Sequence, residues 1–374
     1  MSTLTRLEPG GNAMSVPQTM RAVVTTGHGG LDKLVYREDV PVPEPAHGEV
    51  LIAVGACSIN NTDINTRTGW YAPSVRGGTE VDALLTEVAP WNRPTFTFPR
   101  IQGADITGRI VRVGDGVPGV RMGERVLVDP WICDATNRLK DPVYLGSERD
   151  GGYAEYAAVP SGNAYRVSTS LSDVELSSFP CAYTAAENML QRSALGPGET
   201  LLVTGASGGV GTGLVQIGRA RGARVIAIAS RAKLDQARAL GAHAAIARED
   251  PDLAGAVQAT AGGAGVDVWA DVVGGRGFPR LFDVIRRGGR YVTSGAISGA
   301  IVEVDLRVLY LRDITMYGAT VPAADVFPTL LRRIESGGIK AVVARTYPLS
   351  RVREAQTDFA AKGHVGKLVL VPGQ

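Results

Sequence analysis

The sequence predicts an α/β protein in which an antiparallel, barrel-like domain is split around a doubly wound domain with a parallel sheet. Three observations carry this expectation. Short alternating or apolar runs separated by Gly, Pro and Asp turns fill the first part of the chain, and strands then alternate with helices of about 12 residues. A strand pattern returns at the end. The expected boundaries are a flexible N-terminus over 1–19, the barrel-like domain over 20–165, the doubly wound domain over 166–320 and a return to the first domain over 321–374.

In order, MRAVVTT, EVLIAVGACSI, ITGRIVRVG, ERVLVD and YAEYAAVP read as barrel strands. After about residue 171 the rhythm changes to a helical stretch, SDVELSSFPCAYTAAENMLQRS, then the strand TLLVTG and the helix GVGTGLVQIGRARG. The strand RVIAIAS and the helix AKLDQARALG follow, then the strands VDVWADVV and RYVTSG with LFDVIRR between them. A helix near TLLRRIESG precedes the last strand, KLVLVP. The segment GAIVEVDLRVLYLRDITMYG supplies β-branched strand residues near the end of the doubly wound domain.

Composition sets the outer limits. A chain of 374 residues and 39.2 kDa suits two domains, and 44% hydrophobic with 20% charged residues is ordinary globular composition. The net charge of +2, with basic residues scattered, argues against a nucleic-acid or anionic-membrane surface. No run approaches the roughly 20 apolar residues of a bilayer helix, and the N-terminus lacks a signal-peptide core, so a cytoplasmic, soluble protein is expected. Cys57, Cys133 and Cys181 lie too far apart for a disulfide framework or a metal knuckle, and four histidines make a protein-built zinc site hard to assemble. The 47 glycines, about 13% against a usual 7%, imply tight turns or close approach of backbone to a ligand.

Between the strand LLVTG and the next helix lies Gly205-Ala206-Ser207-Gly208-Gly209-Val210-Gly211. In a strand–loop–helix context this spacing suits a dinucleotide, because backbone N–H groups and the helix N-terminus meet the pyrophosphate. Gly205, Ser207, Gly208, Gly209 and Val210 are the candidate contacts. The end of the second strand selects the cofactor. An NAD site places an acid about 20 residues beyond the glycines, whereas this chain has Ser230-Arg231-Ala232-Lys233. Arg231 and Lys233 suit the 2′-phosphate of NADPH, each charge-assisted contact being worth roughly 1.5–3 kcal/mol. The alternative is a solvated helix start.

The segments GACSINNTDINTRTG, QGADITGRIVRVG, GERV, DGGYAEYAAVP, PCAYTAAENML, GPGETLLVTGASGGVG and HVGKLVLVP together resemble the medium-chain dehydrogenase/reductase superfamily, from Met20 to the end of the chain. The likeness is to its zinc-free quinone oxidoreductase branch, with a look also of bacterial alcohol dehydrogenases. The resemblance implies a GroES-like β-barrel substrate domain with an inserted Rossmann domain, and an active site in the cleft between them. It implies further cofactor contacts from Thr184, which would seat the nicotinamide, from Gly295 and Lys367, and from Arg248 on the adenosine side. It also implies a homodimer that pairs sheet edges, since an uncovered edge is a pairing liability.

Zinc-dependent members place Cys, His and Cys or Asp where this sequence has Asn60, Ala104 and Cys181. One thiol cannot replace three ligands, and Cys181 reads as a small buried residue. The four-cysteine structural lobe is absent too, with Cys133 alone in its segment. Without a Lewis acid, alcohol oxidation is harder, while a quinone or α,β-unsaturated carbonyl is already electrophilic. By resemblance Asn60 is the first candidate to hold the acceptor carbonyl, against a turn-forming role; Tyr71 is either a hydrogen-bond donor or a packing residue. Asp63 and Arg67 are read as a pair that bond each other. The span from Gly69 to Gly103, 103 − 69 = 34 residues, is longer than in the simplest quinone reductases. Its aromatics Trp70, Trp91, Phe96 and Phe98 suit either a substrate lid or a satellite core.

The expected function is therefore NADPH-dependent hydride transfer to a quinone or conjugated carbonyl. The alternatives are a zinc-free carbonyl reductase or alcohol dehydrogenase of a secondary-metabolite pathway, and a non-catalytic NADPH- or nucleic-acid-binding module.

Overall fold

In the computed structural model, which describes residues 16–79 and 97–373, the ten-residue strand Glu49–Ser58 organises the first domain. It is buried along most of its length and pairs antiparallel with Asp105–Val113, Tyr156–Pro160 and Lys367–Val371. Register shifts at Leu51/Ile52 and Val54/Ala56 bend it, which curves the sheet into a barrel-like wall. The sheet runs Ala164–Arg166, Arg125–Val128, Asp105–Val113, Glu49–Ser58, Lys367–Val371, Val343–Pro348. A second sheet of Leu34–Pro41, Thr19–Thr25 and Arg100–Ile101 lies against it over a core that includes Val23, Ile52, Ile106, Val126 and Leu370.

Register fixes the chemistry at one end of this wall. Ser58 stands opposite both Asp105 and Val369, and the Ile59 N–H donates to the Leu368 carbonyl at 2.9 Å. One residue further, the last strand therefore begins with Lys367 beside Asn60.

The second domain is a six-stranded, wholly parallel sheet of Thr200–Val203, Arg224–Ala229, Ala244–Ala247, Val266–Asp271, Ile285–Thr293 and Thr315–Gly318. Numbered along the chain, these strands lie in the spatial order 3-2-1-4-5-6, the Rossmann arrangement. Helices cover both faces, so the inner strands are near-continuous apolar runs. One face packs Tyr183, Leu214, Ile217 and Phe327; the other packs Trp269, Phe278, Phe282 and Tyr291. The expected α/β fold, a GroES-like barrel with an inserted Rossmann domain, is the one observed.

Several elements differ from the sequence reading. Ala244–Ala247 is a strand that its alanine-rich sequence did not signal. The stretch 172–193 is two helices, Asp173–Leu176 and Pro180–Arg192, the second opening with Pro at its first position. In GAIVEVDLRVLYLRDITMYG only Thr315–Gly318 is a strand; Leu306–Leu311 is a helix because Asp305 caps it through the Arg307 N–H and its leucines favour that state. Phe327, Leu330, Ile334 and Ile339 still pack with the parallel-sheet core, so the chain rejoins the first sheet only at Val343–Pro348. Trp91 and Phe96 lie outside the described residues.

Candidate active site

A cleft of about 1050 Å³ opens between the C-terminal ends of the parallel strands and the barrel wall, where doubly wound sheets bind ligands. The loop from Gly205 to Gly211 crosses its middle. Gly205 has φ +66°, and a Cβ on Gly211 would lie 2.1 Å from the Gly205 carbonyl oxygen, so neither position admits a side chain without moving the loop. Gly208 caps the helix Gly209–Ala220 without a side-chain acceptor, leaving first-turn N–H groups for an anion. These residues fit a pyrophosphate.

Beside the loop, four donors converge on one buried carboxylate. Asp105 accepts from Lys367 Nζ at 3.0 Å, Asn60 Nδ2 at 2.8 Å, the Cys181 N–H at 2.6 Å, and Ser58 Oγ. The Cys181 N–H is an otherwise unpaired first-turn donor of the helix Pro180–Arg192, so Asp105 caps that helix across the cleft. Lys367 Nζ also donates to Asn60 Oδ1, which fixes the amide's orientation. Asn60 is 6% exposed and Lys367 2%, yet both line the cleft.

Asp63 does not pair with Arg67. It accepts from the Asn60 N–H and from Tyr153 Oη, each at 2.8 Å, while Arg67 binds the Gly29 carbonyl and Gln356. Burial raises the Asp63 carboxyl to about 6, against the opposing pull of the Asn60 N–H and Tyr153 hydroxyl. The Cys181 thiol is pushed up to about 12 by burial and then by the Asp105 charge.

At one end, Asn60, Asn61, Thr62, Asn65, Trp70 and Tyr71 share the cleft wall with Cys181. Tyr71 is 43% exposed and meets Trp70 edge-on with ring centroids 5.5 Å apart. Thr79 reaches across to the second domain, its N–H donating to the Ile297 carbonyl at 2.9 Å. Thr184 is 2% exposed, behind the lining formed by Cys181, Ala182 and Ala185, and its hydroxyl has no partner among the described residues.

Ser230, Lys233 and Arg248 line the opposite end, whereas Arg231 is exposed outside the lining and its N–H binds Glu249 at 3.0 Å. Lys233 Nζ donates to the carbonyls of Lys362 and His364, at 2.5 and 2.7 Å, tying the Rossmann domain to the C-terminal segment. Burial, then the Arg248 charge, lowers its pKa. His364 is held down at about 4 by burial and by Lys362, Lys233 and Lys367. The wall is thus strongly cationic. Gly295 also lines the cleft.

Sequence reading missed Asp105, Lys362 and His364, and also Asp271. Asp271, at a strand end, binds Thr204 Oγ1, Tyr291 Oη and the N–H groups of Val273 and Gly274, which fixes the loops flanking the glycines. Only the position of Asp271 at the end of an apolar strand could have pointed to it.

Residues 46–169 match the family model of the alcohol dehydrogenase GroES-like domain, and residues 209–336 match that of the zinc-binding dehydrogenase. A solved Sinorhizobium meliloti 1021 protein, whose alcohol dehydrogenase description is provisional, is 50% identical with a TM-score of 0.90, covering 96% of this chain and 98% of its own. The chain belongs to the medium-chain dehydrogenase/reductase superfamily. Acryloyl-coenzyme A reductase of Metallosphaera sedula is 30% identical over 94% of this chain and 99% of its own. Quinone oxidoreductase of Rattus norvegicus is 27% identical over 94% and 98%, and the NAD-dependent alcohol dehydrogenase of Sulfurisphaera tokodaii 29% over 91% and 98%. The protein is an oxidoreductase of this superfamily, among nicotinamide-dependent relatives. Among the described residues, no helix is long and apolar enough to cross a membrane.

Proposed function

We propose that this protein transfers a hydride from NADPH to a quinone or an α,β-unsaturated carbonyl compound without a catalytic metal. The observation that carries the reading is the donor set at the family's zinc position. Asn60 Oδ1 already accepts from the Lys367 ammonium, Ala104 has no donor, and Cys181 is a thiol whose ionisation is opposed up to about 12. A divalent metal needs three ligands in deprotonated or neutral donor form, so zinc does not fit these residues. An activated acceptor needs only orientation and a group to stabilise developing negative charge.

When bound, NADPH supplies the hydride from its dihydronicotinamide ring. The glycine loop and the helix N-terminus at Gly208 hold the pyrophosphate, while Ser230, Lys233 and Arg248, with Arg231 nearby, favour a 2′-phosphate. Thr184 and Gly295 are assigned to the nicotinamide end. Asn60 retains one amide N–H beyond its bond to Asp105, and this N–H, with Tyr71, is assigned to the acceptor. The quinone oxidoreductase and acryloyl-coenzyme A reductase relatives support an acceptor conjugated to a carbonyl. The alcohol dehydrogenase relatives favour a second reading, reduction of the C=O itself.

We also propose a homodimer. Ile301, Leu306, Tyr310, Leu311 and Met316 are exposed around the edge strand Thr315–Gly318, and sheet pairing there would cover them.

The test is NADPH oxidation by chelator-treated enzyme across quinones, enones, enals and aldehydes, with metal analysis of the same sample. Retained turnover of conjugated acceptors at substoichiometric zinc is the expected result. Near one zinc per chain, with activity lost on its removal, would overturn it.

A further inference from the structure

We infer that the Lys367 ammonium is the electrophile of this site, taking the charge-stabilising place of zinc in metal-dependent relatives. Its N–H would donate to the oxygen of the reacting acceptor. The inference rests on the reading above, that an activated acceptor receives hydride in this cleft.

Strand register puts Lys367 beside Asn60, the first of the three zinc-ligand positions. Its Nζ bonds Asn60 Oδ1 and Asp105 Oδ2, and Asp105 reaches on to the backbone N–H of Cys181, the third of those positions. The cation therefore sits within the same cage of residues. An ammonium has three N–H donors, and two are used. The third has no partner among the described residues, on a side chain that lines the cleft. Asp105 already compensates the charge, but a buried N–H left without an acceptor is costly, and an acceptor oxygen in the cleft would complete it.

The stem is held as firmly as the head. A Cβ on Gly209 would come within 2.9 Å of Lys367 Cδ, so the aliphatic chain runs directly beneath the glycine loop, closed in by Ala182. Lys367 is thus preorganised, which gives an electrophile its value.

The balance of the step is simple. The hydride pair forms the new C–H bond at the β carbon, the C=C pair shifts to the α–carbonyl bond, and the carbonyl pair moves to oxygen. The ammonium N–H stabilises that enolate oxygen, and a proton from water reaches the α carbon afterwards. For a quinone the enolate oxygen takes a proton from water, and tautomerisation then moves the added hydrogen, as a proton through water, from the ring carbon to the second oxygen, giving the hydroquinone.

Because Lys367 also lies under the pyrophosphate loop, the anionic oxygen it meets has two sources, the acceptor and the dinucleotide. The experiment separates them with Lys367→Met and with the charge-neutral pair Lys367→Met/Asp105→Asn, which leaves no uncompensated buried carboxylate should the single variant fail to fold. NADPH affinity is read by nicotinamide fluorescence, and hydride transfer by single turnover with NADPH already bound. The expected result is an NADPH Kd within about threefold of wild type and hydride transfer slowed about 100- to 1000-fold. Unchanged hydride transfer overturns the inference, as does a loss confined to NADPH affinity, which would make Lys367 a phosphate ligand. If wild-type enzyme reduces no conjugated acceptor, the functional reading itself fails, whatever the variants do.

Discussion

Replacing Asp105 with Ala removes the carboxylate that pairs with Lys367 Nζ at 3.0 Å in a site where the lysine is 2% exposed. Breaking one side of a buried ion pair typically costs about 3–5 kcal/mol, because the remaining charge stays desolvated. The Ser58 hydroxyl, the Asn60 amide N–H and the Cys181 N–H lose their acceptor as well, at about 1–3 kcal/mol each when unpaired, although these losses overlap. A second substitution isolates the charge. In Asp105→Ala/Lys367→Met the stranded ammonium is gone, so the double variant is destabilised by at least 2 kcal/mol less than the sum of the two single changes, within the range of about 0.5–3 kcal/mol seen for coupled neighbours. Urea unfolding followed by circular dichroism on all four proteins gives the cycle. Additivity within about 0.5 kcal/mol would refute the claim that Asp105 and Lys367 compensate each other.

Other consequences follow from the cationic wall and the exposed edge. Lys233→Ala/Arg248→Ala should raise the NADPH KM at least about tenfold, at 1.4 kcal/mol per decade, and leave NADH nearly unchanged; equal losses for both coenzymes refute a 2′-phosphate site. His364, held at about 4, binds a proton more readily in the unfolded chain, so its contribution is complete above about 6.5 and is lost as pH falls toward 4. His364→Asn should therefore flatten the fall in Tm across that window in scanning calorimetry, and an unchanged slope sinks the assignment. Asp63 and Asp129, raised to about 6 by burial, act in the opposite direction and cancel between the two proteins. Light scattering should give 2 × 39.2 = 78.4 kDa for wild type and a lower mass for Met316→Asp; a wild-type mass near 39 kDa contradicts edge pairing.

Local signals made much of the fold legible. The glycine loop with its flanking strand and helix, the alternating barrel strands and the final KLVLVP run each carry their own periodicity, and each is found where the pattern puts it. Ala244–Ala247 carried no such signal, because three alanines around the single Ile246 give too short an apolar run to tell strand from helix. Leu306–Leu311 misled because the apolar run could not reveal that Asp305 would cap a helix. The site was legible by position rather than by bonding. Asn60, Tyr71, Lys233, Arg248 and Lys367 all reach the cleft, but Asp105, which joins Asn60 to Lys367, stands 105 − 60 = 45 residues from one and 367 − 105 = 262 from the other. Only strand register brings those three together, and register is a tertiary outcome. Lys233 illustrates the same limit, since its bonds to the Lys362 and His364 carbonyls depend on the C-terminal return.

Where the hydride goes decides between C=C and C=O reduction. NADPH carrying deuterium at the transferring position, given to chelator-treated enzyme with a simple enone, answers that in one mass and NMR measurement of the product. A saturated ketone with deuterium on the β carbon is the expected product. An allylic alcohol with deuterium on the carbinol carbon would contradict it.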